Sequence, residues 1–318
     1  MKLVLMLRSK DDAIMKLDGD FSDVEFLRAS SSDDLHDVVE DCEVLVASGS
    51  IYSAEVADIL RQRGGSLRWI QSRSVGVDMF VAAGVPKGVI FTNARGINGR
   101  TESEHAIALL LALMRRVPEL ERCRAEASWR SVEDREQFLS LEGRTLVIVG
   151  MGSIGQQVAR KAGAFDMRVI AVTRTGDAVE ATDESVSVDR MIDVLPGADA
   201  VVMCLPLNDR TRGLLGEGEL AVMKPSAVIV NVARGGVVDQ HALTVALRDG
   251  RLGGAGLDVF ENEPLPADNP LWRLENVILS PHVAGAGGNN TRRFVELFAD
   301  NLRRYRAGGP LRNQIDLT

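Results

Sequence analysis

The sequence predicts an α/β protein with two doubly wound parallel-sheet domains, one discontinuous and the other inserted into it. Three observations support this prediction. Strand-length apolar runs alternate with polar stretches of helical spacing along most of the 318 residues, a length that favours two domains over one core. The alternation forms two series, separated by a long helical stretch. A glycine-rich turn follows the first strand of the second series, where a doubly wound sheet often carries one.

The first series predicts one parallel sheet with helices on its faces. Apolar runs of strand length occur at residues 3–7, 44–47, 69–71 and 89–91. Between them, residues 32–39 and 53–63 are polar and have helical spacing. Strands that alternate with helices form βα units, and such units build parallel sheets.

The second series predicts the inserted domain. A helix is expected from about residue 101 to about residue 125, followed by a charged segment at 133–136. The strands that come next are expected at residues 145–149, 168–172, 200–204, 227–231, 254–258 and 277–279. A last helix at about 290–305 is expected to pack back on the first series. We therefore expect one domain from residues 1–99 and 288–318, and an inserted domain from residues 100–287.

Composition and charge disfavour several classes of protein. The net charge is −8 and no long run of lysine or arginine occurs, so a nucleic-acid-binding surface is not expected. The longest apolar run, at 106–114, is too short to cross a bilayer, which takes about 20 residues. No signal peptide is expected at the start of the chain. The cysteines Cys42, Cys123 and Cys204 form no CxxC pair, and no metal-ligand spacing occurs. We expect a cytoplasmic protein with reduced thiols, no metal and no membrane or nucleic-acid partner.

The strongest local motif is the sequence GMGSIG at residues 150–155, between an apolar strand and residues of helical character. In such a motif Gly150 allows a tight turn, Gly152 lets a pyrophosphate approach the backbone, and Gly155 lets the helix pack close to the strand. The N-terminus of the helix offers free N–H groups to the phosphates. Glycines alone are weak evidence, but here the strand and the helix are both in place. We therefore predict a dinucleotide site.

The end of the next strand predicts which dinucleotide is preferred. An NAD site usually has an acidic residue about 20 residues beyond the glycine turn, where it binds the ribose hydroxyls. Thr173 lies at this position and Arg174 follows it. An arginine can form forked hydrogen bonds to a phosphate, and Thr175 adds a hydroxyl donor. Asp177 lies past a glycine and is not expected to reach the ribose. The residues predict NADP(H) as the preferred cofactor, with NAD(H) possible; in the alternative, Arg174 points to solvent and the site is indifferent.

Several segments together resemble the D-isomer-specific 2-hydroxyacid dehydrogenase family, over most of the chain. Each segment is modest alone, but their order is the family's order. They are SVGVD at 74–78, NARG at 93–96, EH at 104–105, GMGSIG at 150–155, CLPL at 204–207, NVARG at 231–235, GLDVFENEP at 256–264 and SPH at 280–282. The resemblance implies two αβ domains around a cleft, the inserted one a Rossmann domain, usually as a homodimer. It also implies hydride transfer between a nicotinamide cofactor and C2 of a small 2-oxo or 2-hydroxy acid.

The resemblance assigns roles to individual residues. It implies that the N–H groups of Val75 and Gly76 bind the substrate carboxylate, and that Asp258 lies near the nicotinamide. Glu263, which directly precedes a proline, matches the family's acid better than the nearby Glu261. Further cofactor contacts are expected, from the glycine turn and from the resemblance, at Ser153, Ile154, Cys204, Leu205, Pro206, Val232, Ala233 and His282.

Reduction of a 2-oxo acid needs a group that holds the acid and a group that delivers a proton. Arg234 suits the first need, because a guanidinium forks two hydrogen bonds onto oxygens and keeps its charge. His282 suits the second, because histidine titrates near neutrality. Glu263 would bind the other nitrogen of the imidazole and favour its protonated form. Of the remaining histidines, His36 and His241 are expected in polar surroundings, and His105 as a packing or hydrogen-bonding residue.

Three other interpretations of the sequence are less favoured. An amino-acid dehydrogenase or an S-adenosyl-ligand enzyme of the same architecture is disfavoured by the set Arg234, Glu263 and His282. An NAD-sensing, corepressor-like binding protein would be expected to have extra tails, and we expect none after the last helix. A phosphoglycerate-type enzyme with a regulatory domain would need a longer chain.

The sequence leaves the substrate open. Glyoxylate, hydroxypyruvate and longer 2-oxo acids all fit the predicted chemistry. The shape of the pocket must decide among them, and the candidates for shaping it are Arg73, Arg95, Arg100 and Trp129.

Overall fold

The computed structural model describes residues 1–7, 13–129 and 138–317, except for the side chain of Asp18. The chain divides into two compact units, Met1–Asn98 with Gly287–Thr318 and Gly99–Ala286. Each unit contains a parallel sheet with helices, which confirms the predicted fold class. The charged segment predicted at 133–136 lies outside the described residues.

The discontinuous unit begins with five strands and three helices. The strands are β1 Lys2–Met6, β2 Glu25–Ala29, β3 Cys42–Ala47, β4 Trp69–Ser72 and β5 Ile90–Thr92, and the helices are α1 Ser32–Val38, α2 Ala54–Arg63 and α3 Asp78–Ala83. The strands form one parallel sheet in the order β2-β1-β3-β4-β5. Helices α1 and α2 begin where the hydroxyls of Ser31 and Ser53 accept hydrogen bonds from backbone N–H groups of the first turn.

The inserted unit contains seven strands and six helices among its described residues. The helices are α4 Gly99–Met114, α5 Val117–Ala125, α6 Ser153–Gly163, α7 Met191–Val194, α8 Glu217–Ala221 and α9 Gln240–Arg248. The strands are β6 Thr145–Val149, β7 Arg168–Thr173, β8 Glu184–Ser187, β9 Ala200–Met203, β10 Val228–Asn231, β11 Gly254–Leu257 and β12 Val277–Leu279. They form a parallel sheet in the order β12-β11-β10-β9-β6-β7-β8. The chain therefore changes direction between β6 and β9, the place where ligands bind in doubly wound sheets.

The C-terminal helix, α10 Asn290–Arg306, closes the discontinuous unit as predicted. Phe294 and Phe298 are fully buried, and the ring of Trp69 stacks on Phe298 with the centroids 5.6 Å apart. The guanidinium of Arg73 lies 4.7 Å from the ring centre of Phe294 and donates to the hydroxyl of Thr291. Arg73 is therefore engaged with this helix, although the sequence suggested it for the substrate pocket. The other three candidates, Arg95, Arg100 and Trp129, are exposed.

The prediction of a single helix over residues 101–125 is wrong, because the structure has two separate helices there, α4 and α5. The chain leaves α4 after Met114, and Arg116 takes a left-handed conformation with φ of 53°. Pro118 lies in the first turn of α5, where its missing N–H would have no helical partner in any case. In the interior of one long helix the same proline would break a hydrogen bond. Pro118 is thus the sequence signal that the prediction overlooked.

Two strands were not predicted, and both lie at sheet edges. β2 has the sequence EFLRA and β8 the sequence ESVS, so neither contains the apolar run of a buried strand. Each pairs in parallel with one neighbour, β1 or β7. An edge strand has one side in water, so its pattern carries less information than that of a central strand.

The apolar helix α4 is only partly buried within its unit. It packs on α6 and on the strands β10 and β11, and a Cβ on Gly256 would lie 2.9 Å from the Cβ of Leu109. Ala108, however, is exposed, and Leu111 is half-buried. In the described part of the chain, no helix is both long enough and apolar enough to span a membrane.

Candidate active site

The glycine turn between β6 and α6 has the geometry that a dinucleotide phosphate requires. Gly150 has φ of 98°, and a Cβ there would lie 2.9 Å from the backbone of Cys204. A Cβ on Gly155 would lie 2.1 Å from the carbonyl oxygen of Gly150. At Gly152, in contrast, no described atom beyond its two chain neighbours lies within 4 Å of such a Cβ. Two glycines are thus required by packing, and the third leaves open space beside the N-terminus of α6, where an anion is favoured.

Several other residues predicted to contact the cofactor begin α6 or follow strands β9 and β10. Ser153 and Ile154 form the first turn of α6. Cys204, Leu205 and Pro206 follow β9, and Val232 and Ala233 follow β10, so these segments leave the carboxyl ends of neighbouring strands.

Cys204 is buried beside the glycine turn, and its N–H donates to the carbonyl of Val149. Burial raises the pKa of the Cys204 thiol above its ordinary value, and the negative charge of Glu102 adds to this effect. The side chain therefore stays a neutral thiol at neutral pH. It serves as packing beneath the turn rather than as a nucleophile.

The turn after β7, where cofactor choice is predicted to reside, is exposed. The Thr173 hydroxyl accepts a hydrogen bond from the Gly176 N–H at 2.8 Å, which closes the turn. Arg174 is exposed, and its guanidinium has no partner among the described residues. The Thr175 hydroxyl, predicted as a donor to a cofactor phosphate, instead donates to the Asp177 carboxylate at 2.5 Å. The Asp177 carboxylate is a strong acceptor two residues along the chain. The turn therefore carries the negative charge of Asp177 as well as the positive charge of Arg174.

Asn231 holds the turn that carries Arg234. Its side chain is buried; the carbonyl oxygen accepts from the Ala233 N–H, and the amide donates to the Arg234 carbonyl, both at 3.0 Å. Arg234 is half-buried, and one guanidinium nitrogen donates to the Ala233 carbonyl at 2.8 Å. Sequence reasoning treated Asn231 only as the start of a motif. A polar residue at the end of a buried strand was the available signal.

The turn with Arg234 packs directly on the loop with Glu263. A Cβ on Gly235 would lie 1.9 Å from the carbonyl carbon of Phe260, so only glycine permits this approach. The N–H of Phe260 in turn donates to Oε1 of Glu263 at 3.0 Å. The two predicted loops are therefore neighbours, joined through Phe260.

His282 and Glu263 form a direct pair. Nδ1 of His282 lies 2.7 Å from Oε2 of Glu263. An ionised carboxylate only accepts, so Nδ1 carries a hydrogen and Nε2 remains available to exchange a proton. The His282 side chain is 48% exposed, which leaves the ring open to a ligand. The structure thus brings together the two residues that the sequence predicts as acid and partner.

Asp258 holds the turn that carries His282. Only 1% of Asp258 is exposed, and its carboxylate accepts hydrogen bonds from the Ser280 hydroxyl at 2.6 Å and from the N–H groups of Val283 and Ala284, each at 2.9 Å. The N–H of His282 donates to the Asp258 carbonyl at 2.8 Å. Asp258 therefore determines where the imidazole stands. Sequence reasoning did not single out Ser280.

Val75 and Gly76 belong to the discontinuous unit, where they follow β4. The carbonyl of Val75 accepts from the amide of Asn93 at 2.7 Å, which fixes the loop. Among the described residues of that unit, none accepts a hydrogen bond from the N–H of Val75 or Gly76. Two adjacent N–H groups without a partner suit a carboxylate.

The site residues of the inserted unit combine a cation, a histidine–carboxylate pair and an open glycine turn. This set can bind a dinucleotide and an organic anion and can transfer a proton. Among the described residues, no cluster of three or more His, Cys, Asp or Glu side chains could hold a metal ion.

Comparison with known proteins gives consistent matches. Residues 107–284 match the family model described as D-isomer specific 2-hydroxyacid dehydrogenase, NAD binding domain. A glyoxylate reductase of Korarchaeum cryptofilum is 38% identical over 276 residues, which are 85% of this chain and 81% of that protein. A D-3-phosphoglycerate dehydrogenase of Archaeoglobus fulgidus is 32% identical over 100% of this chain, which spans only 59% of that longer protein. A solved structure of a D-isomer specific 2-hydroxyacid dehydrogenase family protein from Aeromonas salmonicida has a TM-score of 0.89 and 32% identity, and the match covers 100% of this chain and 99% of that chain.

The family match spans more than half of the chain and includes the glycine turn, Arg234, Glu263 and His282. The resemblance inferred from the sequence is therefore confirmed, and with it an NAD(P)-dependent oxidoreductase acting on 2-hydroxy or 2-oxo acids. The chain belongs to the D-isomer-specific 2-hydroxyacid dehydrogenase family.

Proposed function

We propose that this chain reduces small, unphosphorylated 2-oxo acids to 2-hydroxy acids, of D configuration where C2 becomes a stereocentre, with NADPH as the preferred hydride donor. The observation that carries the proposal is the 2.7 Å contact between Nδ1 of His282 and Oε2 of Glu263. The contact keeps a hydrogen on Nδ1, so a protonated ring can donate from Nε2 to the carbonyl oxygen of the substrate. The bound cofactor would supply the hydride to C2, which yields a 2-hydroxy acid and the oxidised cofactor.

The remaining site residues have proposed roles in binding. Arg234 binds the acid and polarises its carbonyl, because the planar guanidinium can donate two hydrogen bonds at once. The N–H groups of Val75 and Gly76 bind the carboxylate of the substrate. The fixed turn around Arg234 supports this role, since the Asn231 amide holds it from two sides. A group held in place before the reaction costs less to position during it.

The preference for NADPH rests on the turn after β7. Thr173 stands where an NAD site would place a carboxylate, and Arg174 is an exposed guanidinium able to bind a phosphate. Asp177 works against this preference, because its carboxylate lies within the same turn. We therefore propose a moderate preference for NADPH, with NADH still accepted.

The proposed substrates are glyoxylate and hydroxypyruvate. The similarity to a glyoxylate reductase supports small unphosphorylated acids. The similarity to a D-3-phosphoglycerate dehydrogenase makes a phosphorylated 2-oxo acid the second candidate. The two differ by a dianionic phosphate, which would need further cations in the substrate pocket.

The experiment is a panel of glyoxylate, hydroxypyruvate, phosphohydroxypyruvate and a longer 2-oxo acid, each assayed with NADPH and with NADH. We expect the highest kcat/KM for an unphosphorylated short acid, with a D-configured product from hydroxypyruvate. The highest value with phosphohydroxypyruvate would favour the second candidate. Binding of NADPH without turnover of any acid would instead favour a cofactor-sensing binding protein.

We further propose that the chain is a cytoplasmic homodimer. All three cysteines are free, as suits a reducing compartment. Helix α4 leaves Ala108 exposed and Leu111 half-buried within an apolar run, and a second copy would cover them. Sedimentation at micromolar concentration is expected to give twice the mass of 34.4 kDa, and a monomer would refute the proposal.

A further inference from the structure

A chain of three polar side chains runs from helix α4 to the turn that carries His282. Nε2 of His105 lies 2.9 Å from the hydroxyl oxygen of Ser280, and that hydroxyl lies 2.6 Å from Oδ1 of Asp258. The same nitrogen of His105 is 3.5 Å from Oδ1 of Asp258. The three residues come from different parts of the inserted unit: α4, the end of β12 and the end of β11.

The chemistry of the three groups determines which one donates and which one accepts in each hydrogen bond. An ionised carboxylate can only accept, and a serine hydroxyl has one hydrogen to donate. The 2.6 Å contact therefore places the hydrogen of Ser280 toward Asp258. The hydroxyl oxygen must then accept from His105, so Nε2 of His105 carries a hydrogen. The assignment follows from the geometry alone and can be measured.

This series of hydrogen bonds ends at the turn that carries His282. The Asp258 carboxylate binds the N–H groups of Val283 and Ala284, the two residues that follow the imidazole. His282 itself has φ of 54°, a left-handed conformation that non-glycine residues seldom adopt without support. A small displacement of Asp258 would therefore displace the ring that exchanges the proton.

We propose that His105 is a positioning residue for the reaction, acting through Ser280 on Asp258 and so on the orientation of His282. Among the described residues, no hydrogen bond or ion pair joins His105 to His282 or Glu263, and the role of His105 is to donate the hydrogen that completes the hydrogen-bond chain. The inference rests on the proposed function, because it assumes that the place of His282 limits the rate. It adds a second histidine, from helix α4, to the machinery of the site.

The first test compares two substitutions at His105. His105→Leu removes the donor, whereas His105→Gln keeps an N–H donor of similar reach. We expect His105→Leu to lower kcat about tenfold, since small misplacements at a reacting centre cost this much or more. The KM for the 2-oxo acid and the Kd for NADPH should change less than about twofold, and His105→Gln should recover most of kcat. The matched control is His241→Leu, at an exposed position of α9, which should leave kcat unchanged.

The second test asks whether His105 and Ser280 act through one chain. Ser280→Ala should lower kcat about as much as His105→Leu, and the double variant should lose no more than the worse single variant. Losses that multiply would show independent effects and would overturn the proposal. Thermal unfolding of each variant identifies any loss of fold. Among the folded variants, a higher kcat for His105→Gln than for His105→Leu supports the positioning role, and equal values overturn it.

The third test measures the hydrogen directly. Nitrogen NMR of the NADPH-bound protein should show His105 with its hydrogen on Nε2, in a signal assigned by its absence from His105→Gln. A hydrogen on Nδ1 alone would overturn the proposal whatever the kinetics show.

Failure of this inference and failure of the proposed function are separable. If wild type reduces 2-oxo acids and His282→Ala does not, the function stands, and a His105→Leu variant with normal kcat then refutes the inference alone. If wild type reduces no 2-oxo acid, the proposed function fails, and the positioning role fails with it.

Discussion

The ends of β10, β11 and β12 differ from the end of β7 in how their side chains are held. Asn231 at the end of β10 and Asp258 after β11 are buried. The Asn231 side chain forms two hydrogen bonds, and the Asp258 carboxylate accepts three from the segment after β12. At β7, Arg174 and Asp177 are exposed, and the hydrogen bonds of the turn stay within five residues. One region is proposed to support proton transfer and the other to choose the cofactor.

The difference teaches which property of the site is easier to change. A buried polar group left without its partner costs about 1–3 kcal/mol, so Asn231 and Asp258 resist substitution. Most substitutions of exposed side chains change folding stability by no more than about 0.5 kcal/mol. We therefore expect the reaction type to be strongly constrained and the cofactor preference to be adjustable by single substitutions.

The largest effect is expected for His282→Ala. Removal of the proton donor should lower kcat by about 10²–10⁴-fold, while the Kd for NADPH changes little. Steady-state kinetics and fluorescence titration of NADPH measure the two quantities. The control is His36→Ala, a half-exposed histidine in the discontinuous unit. Near-normal turnover by His282→Ala would remove this residue from the mechanism.

Arg234→Lys should have the next largest effect. Lysine keeps the charge but loses the planar pair of donors, so kcat/KM for the 2-oxo acid should fall about 100-fold. The Kd for NADPH should stay within about twofold of wild type. Arg210→Lys, at an exposed position, serves as the control. A loss mainly in NADPH binding would mean that Arg234 serves the cofactor instead.

Glu263→Gln should lower kcat for reduction. The carboxylate accepts the Nδ1 hydrogen of His282 at 2.7 Å, which orients the ring and leaves Nε2 free for the substrate. An amide can donate to Nδ1 instead and so favour the other tautomer, and kcat at pH 7 should fall about tenfold. Steady-state kinetics measure this, with Glu261→Gln, at an exposed position, as the control. An unchanged kcat would assign the partner role to another acid.

The smallest effects are expected at the end of β7. Wild type should prefer NADPH over NADH about tenfold in kcat/KM, a ratio worth roughly 1.4 kcal/mol. Thr173→Asp and Arg174→Ala should each remove much of this preference, mainly through weaker use of NADPH. Asp177→Asn should act in the opposite direction, because it removes a negative charge from the turn. A wild type that prefers NADH would contradict the proposed cofactor choice.

Central strands were predictable because they are buried on both faces and read as continuous apolar runs, as β6 and β9 do. The edge strands β2 and β8 lack such runs and acquire their structure from pairing with a neighbour. The break between α4 and α5 could have been predicted from Pro118. Thr175 shows a different limit, because the sequence did not indicate that its hydroxyl would donate to the Asp177 carboxylate in the folded turn.

The sequence by itself determined the residue types and their order: the glycine spacing, the arginine, the acid before a proline and the histidine after one. These are local properties, since turn geometry and side-chain chemistry depend on near neighbours. Only the tertiary structure decided which atoms meet. Glu263 and His282 are 19 residues apart, and His105 and Ser280 are 175 apart. Contacts over such separations depend on how strands and helices pack, which no local pattern encodes.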